Sequence, residues 1–246
     1  MVARNWIAVA RIAADRPGYA AKSLYRKLVS KPFVAVEGKP FITERVEALR
    51  AAFAHVSGKT RGQTFKPGAV SEPQAELLWR LVRDRRPGKV VETGVCNGLS
   101  SAVILAAMDL NGTGELISVD LPEFSDPALN TVSYWDGKGG AVIPAGCEVG
   151  WLAPKQYRHR WRLLLGRADE LLPEALSGGC DIFIHDSEHS YENQLFEFRA
   201  GWKALRSGGV LVATDINWSD AFDEFCREAR PKKQFVDHSC CLVFKP

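Results

Sequence analysis

The stretch Lys89 to Ser101, KVVETGVCNGLSS, limits the architectures open to this chain more than any other segment. Val90 and Val91 are β-branched and read as a short strand, Glu92 follows, Gly94 and Gly98 mark a turn, and Leu99 to Met108 reads as a helix. Such a unit lets backbone approach a ligand closely and aims the unpaired N–H groups of a helix N-terminus at it. The spacing then selects among nucleotides. A pyrophosphate-binding turn would read G-x-G-x-x-G, whereas this one reads E-x-G-x-x-x-G, with an acid where a pyrophosphate would be repelled. An acid there suits a ligand with an amino group and a positive charge.

Three further strands, each followed by polar residues, extend the pattern. Glu115 to Leu121 ends in Asp120, at the distance where an acid in a βαβ unit grips ribose hydroxyls. Trp161 to Leu165 leads into GRADELLPEAL, with Asp169 near a helix start, and Asp181 to Ile184 leads into HDSEHSYE. A fifth strand, Val210 to Ala213, follows the turn-like SGG and ends in TDINW, and Gln234 to Asp237 with Cys241 to Phe244 reads as a closing antiparallel hairpin. The expected fold is α/β and Rossmann-like: a mostly parallel seven-stranded sheet with its ligand crevice at the carboxyl edge. Upstream, SEPQAELLWRLVRDRRPG reads as a helix with Ser71 as N-cap and Pro73 in its first turn.

These motifs resemble class I S-adenosylmethionine (SAM)-dependent methyltransferases, and from Trp161 to Ile216 the small-molecule O-methyltransferase branch with a D-x-x-H-S-Y signature, Asp186 to Tyr191 here. The resemblance spans about Ser71 to Pro246 and implies SAM as cofactor, held by Glu92, Gly94, Gly98, Ser100, Asp120, Ala168 and Asp169. It puts Ser100 on the methionine carboxylate and Ala168 and Asp169 beside the adenine. It implies O-methylation of a small hydroxylated acceptor, with Asp186 and His189 as catalytic residues. His189 occupies the position of the base, and imidazole suits general-base work near neutrality. In metal-using relatives two adjacent ligands end strand five. This chain has Thr214-Asp215, so one is missing. Neighbouring strands lie about 4.8 Å apart, so Asp186 and Asp215 could still share Mg²⁺ or another divalent cation, with His185 facing into the sheet.

The long insert 122–160 carries Tyr134, Trp135, Trp151 and Tyr157, and a loop of that length in a compact domain is usually functional or mobile. Trp218, Tyr191 and Trp135 are the aromatics expected at the acceptor. Residues 1–66 read as a basic, helical extension that packs on the domain or on a second subunit in a homo-oligomer, and residues 67–246 as the SAM-binding domain. No apolar run reaches the roughly 20 residues of a membrane span. The six cysteines show neither zinc nor disulfide spacing, which points to free thiols and a cytoplasmic setting. The formal net charge of +3 resides in the N-terminal segment, and no basic stripe or N/D-P-P-Y/F loop argues for nucleic acid. A dehydrogenase would need the three-glycine turn. A catalytically inactive SAM-fold scaffold is the remaining alternative, kept alive by Thr214.

Overall fold

The computed structural model describes residues 17–30, 37–60, 63–130 and 140–246. Trp135, Tyr134 and the basic residues before Pro17 lie outside them. Seven strands form one sheet: β1 (Lys89–Thr93), β2 (Glu115–Asp120), β3 (Trp161–Leu165), β4 (Cys180–His185), β5 (Leu205–Ala213), β6 (Lys232–Phe235) and β7 (Cys241–Phe244). Their order is β3-β2-β1-β4-β5-β7-β6, parallel except where β7 pairs antiparallel with both β5 and β6. The strand order reverses between the adjacent parallel strands β1 and β4. That is the switch point where a doubly wound sheet opens its crevice.

Helices cover both faces: α1 (Pro17–Val29), α2 (Lys39–Phe53), α3 (Glu72–Arg85), α4 (Leu99–Asn111), α5 (Ala168–Ala175), α6 (Tyr191–Ala204) and α7 (Ala221–Ala229). Strand alternation divides the core. Val90, Ile182, Ile184, Val210 and Val212 pack on the side of α2, α3 and α4, while Val91, Phe183, Leu211 and Ala213 pack on the side of α5, α6 and α7. Ile42, Val46 and Leu49 of α2 belong to the first cluster, so the extension's second helix shares the main core. α1 is fastened differently. Its buried Arg26 donates to Ile216 O and to Asp223 Oδ1, and its guanidinium lies over Phe222 and Phe235.

α3 begins as its sequence dictates. Ser71 Oγ accepts from Gln74 N, and Gln74 Oε1 accepts from Ser71 N, closing a capping box. Ser71→Ala is expected to cost about 1 kcal/mol, lowering the melting temperature by roughly 2–4 °C for a domain of this size. An unchanged melting temperature would remove the cap from the account. One local expectation changes: SGG (Ser207 to Gly209) is no separate turn but lies within β5, where the register against β4 shifts between Cys180 and Ile182. All six cysteines are free, and Cys180, Cys240 and Cys241 are buried. Among the described residues no helix is long and apolar enough to cross a membrane.

Candidate active site

A cavity of about 460 Å³ opens at the carboxyl ends of β1, β2, β4 and β5. One end is the glycine turn. Gly94 N donates to Val119 O, and Asp120 Oδ2 accepts from Val95 N (2.5 Å) and Cys96 N (2.9 Å), so the acid ending β2 holds the turn against its own strand. Burial raises the pKa of Asp120, while those two amides oppose the shift. Ser100, Ala168 and Asp169 line the same end, Asp169 held ionised by its bidentate bonds from Arg167.

The glycines are required by the protein's own backbone. A Cβ on Gly94 (φ +83°) would fall 2.1 Å from Asp186 O, and one on Gly98 (φ +81°) 2.6 Å from Gly150 Cα. Glu92 does not line the cavity. Alternation along β1 points it to the α4 side, where Oε2 accepts from Ser101 Oγ (2.7 Å) and Ser118 Oγ (2.8 Å), and burial raises its pKa. Oε2 therefore braces strand against helix, while Oε1 is buried without a hydrogen-bond partner.

The other end carries the chemistry-bearing residues. Asp186, His189 and Asp215 each offer one donor atom, and the three lie within 4.8 Å of one another. Burial, reinforced by the like charge of Asp215, raises the pKa of Asp186 well above the usual carboxylate range. Thr214 Oγ1 lies 2.6 Å from Asp186 Oδ1 and 2.7 Å from His185 O. The single Thr214 hydroxyl proton reaches one of these oxygens at a time. His189 stacks on Trp218 with ring centroids 5.6 Å apart. Its Nε2 lies 3.3 Å from Asp215 Oδ2 but out of line for a hydrogen bond, and it has no other partner. Burial, aided by His185, lowers the His189 pKa to about 3, so the imidazole is neutral.

Backbone strain marks the same place. Among the described residues four non-glycine positions have positive φ. Arg86 and Arg230 cap helices, whereas Cys96 and Asp215 line the cavity. Strain of that kind persists where surrounding contacts over-determine it.

Two partly buried carboxyl groups, with the charge of Asp215 raising the pKa of Asp186, form a donor pair whose chemistry suits a divalent cation and leaves His189 Nε2 unbonded. Trp218 lines the cavity mouth, but Tyr191 does not. As the first residue of α6 it turns outward and donates its hydroxyl to Glu224 on α7. Trp151 and Tyr157 of the insert pack against the core, Trp151 donating to Asn97 Oδ1. Gly140 and Ala141 line the cavity instead, beside Lys66 to Val70. Buried Asn97 fastens that cover, its Nδ2 donating to Pro67 O and Val142 O. An asparagine inside a glycine turn was the signal available for it in the sequence.

The strand order 3-2-1-4-5-7-6, with a cavity at the switch point flanked by a glycine turn and three polar strand ends, defines a class I methyltransferase architecture. Residues 91–216, just over half of the chain, match the family described as a methyltransferase domain, and the chain belongs to that family. Its fold is similar to that of the S-adenosylhomocysteine-bound methyltransferase PaMTH1 of Podospora anserina, with TM-score 0.57, 15% identity, and 94% of this chain and 97% of that one covered. It is likewise similar to the O-methyltransferase TomG of Streptomyces achromogenes, in complex with SAM and involved in tomaymycin synthesis, with TM-score 0.53, 18% identity, and 82% and 90% covered. A CTP synthase of Phenylobacterium zucineum is 25% identical over 162 residues, 55% of this chain, and the chain spans 28% of that protein's length.

Proposed function

We propose that the protein binds SAM at the glycine-turn end of this cavity and transfers its methyl group to an oxygen of a small hydroxylated metabolite at the Asp186–His189–Asp215 end. The observation that carries this reading is that both sets of groups line one cavity. Oδ2 of Asp120 is occupied by the turn amides, leaving Oδ1 for ribose hydroxyls, and Ser100 and Asp169 supply the polar contacts flanking it.

Methyl transfer is an in-line displacement, so the acceptor oxygen must be held near the sulfonium methyl and lose its proton as the new bond forms. His189, neutral and with its Nε2 free, is the proton acceptor. An imidazole held at so low a pKa is a weak base. A divalent cation at Asp186 and Asp215 would offset this by making the acceptor hydroxyl more acidic. Trp218, stacked on His189 and half exposed, covers the acceptor's face. The free thiols fit a cytoplasmic setting. Thr214, standing where relatives that use a metal have an acid, favours the alternative of a non-catalytic SAM-binding scaffold.

The reading is tested by calorimetric titration with S-adenosylhomocysteine, with magnesium and with EDTA. Micromolar binding supports it, and no binding in any condition overturns it. Asp120→Ala should weaken that binding tenfold or more, as loss of hydrogen bonds to a charged group costs about 1.5–3 kcal/mol. Unchanged affinity would free Asp120 of the ribose role.

A further inference from the structure

Glu197 lies on α6 with no exposed surface. Its two oxygens accept four bonds. Oε2 takes Thr93 Oγ1 (2.5 Å) and His185 Nδ1 (2.6 Å); Oε1 takes Ser187 Oγ (2.7 Å) and Asn193 Nδ2 (3.1 Å). Two of these donors, His185 and Ser187, are the residues on either side of Asp186. Thr93 immediately precedes Gly94. The network continues beyond them: Gln194 Nε2 faces His185 Nε2 at 3.4 Å and donates to Asp215 O (3.1 Å), while Gln194 Oε1 accepts from Ser219 Oγ (2.6 Å).

We infer that Glu197 is the positioning residue of the acceptor side, a buried carboxylate that fixes the segments 186–190 and 215–219 relative to each other and to the glycine turn. The segments it reaches have few ladder bonds of their own, since both lie past the ends of β4 and β5. Asp186 N donates to Thr93 O and Ile216 N to Ser239 O, and side-chain bonds supply the other ties between these segments and the glycine turn. Burying a carboxylate is unfavourable unless its lone pairs are satisfied, and an apolar residue of similar size is often as stable there or more so. What a fully bonded polar network adds is a single arrangement. A transfer reaction needs that arrangement, because displacement of a reacting group by about 1 Å can cost on the order of a hundredfold in rate.

This inference rests on the proposed function for its chemistry but not for its test. Hydrogen exchange read by mass spectrometry would compare the wild-type protein with Glu197→Gln and Glu197→Asp, with and without S-adenosylhomocysteine. In Glu197→Gln, exchange across 186–190 and 214–219 should rise tenfold or more, with exchange at 99–108 and S-adenosylhomocysteine affinity within twofold of wild type. Glu197→Asp should restore part of the protection. Gln194→Leu, which cuts the branch to Asp215 alone, should loosen 214–219 and leave 186–190 protected, and it keeps the test open if Glu197→Gln does not fold. Unchanged exchange in both segments, or a uniform rise across the core, would overturn the inference. Absence of S-adenosylhomocysteine binding to the wild-type protein would instead overturn the cofactor reading, leaving the exchange comparison in the unliganded protein to stand alone.

Discussion

Gly94→Ala is expected to lose about 3 kcal/mol or more of stability and to abolish measurable S-adenosylhomocysteine binding. Two costs combine. A residue with a Cβ in the left-handed region pays roughly 1–2 kcal/mol, and Gly94 has φ +83°. The added methyl would also fall 2.1 Å from Asp186 O and 2.9 Å from Ser187 Cα, backbone atoms that cannot rotate away. Relieving such overpacking typically costs another 1–3 kcal/mol. The strands must separate where the cofactor turn meets the segment bearing Asp186, so both ends of the cavity would lose their geometry together. Gly112→Ala provides the control. Its φ is +69°, yet a Cβ there meets nothing within 4 Å, so only the strain is paid. Thermal unfolding of the two variants separates the terms. If Gly94→Ala is no less stable than Gly112→Ala, the close approach of β1 to β4 is not as described.

His189→Ala is expected to reduce methyl transfer by roughly 10²–10⁴-fold, the usual contribution of a general base, while S-adenosylhomocysteine affinity and melting temperature change little. The imidazole makes no hydrogen bond through Nε2, and its ring contacts are with Trp218 and His185. Removing it therefore breaks few structural bonds. The measurement is transfer of labelled methyl from SAM to a panel of catechols and sugar hydroxyls, beside calorimetry on the same preparations. Transfer at the wild-type rate would remove His189 from the chemistry. A parallel loss of cofactor affinity would make it a structural residue. No transfer by the wild-type protein to any acceptor, with cofactor binding intact, would move the scaffold alternative ahead.

The glycine turn, the acids ending β2, β4 and β5, and the capped α3 are legible in the sequence because each is a local pattern of a few residues. Side-chain direction is less so. Glu92 reads as a ligand-facing acid until alternation along β1 and the arrival of Ser101 and Ser118 place it inside. Tyr191, two residues beyond His189, looks like part of the same site. Helix periodicity instead turns it toward Glu224. Glu197 gives no signal at all, since an acid on an amphipathic helix ordinarily faces water.

By itself, then, the sequence determined the order of strands and helices, the turn that makes a nucleotide crevice, and the candidate residues at the strand ends, all consequences of short-range periodicity and backbone preference. The tertiary structure alone decided which of those residues share a cavity, that Gly94 and Gly98 yield space to Asp186 and Gly150, and that Glu197 gathers four donors. These depend on atoms brought together from positions tens of residues apart. Which polar groups are buried, and beside what, is fixed only when the sheet closes and its helices pack.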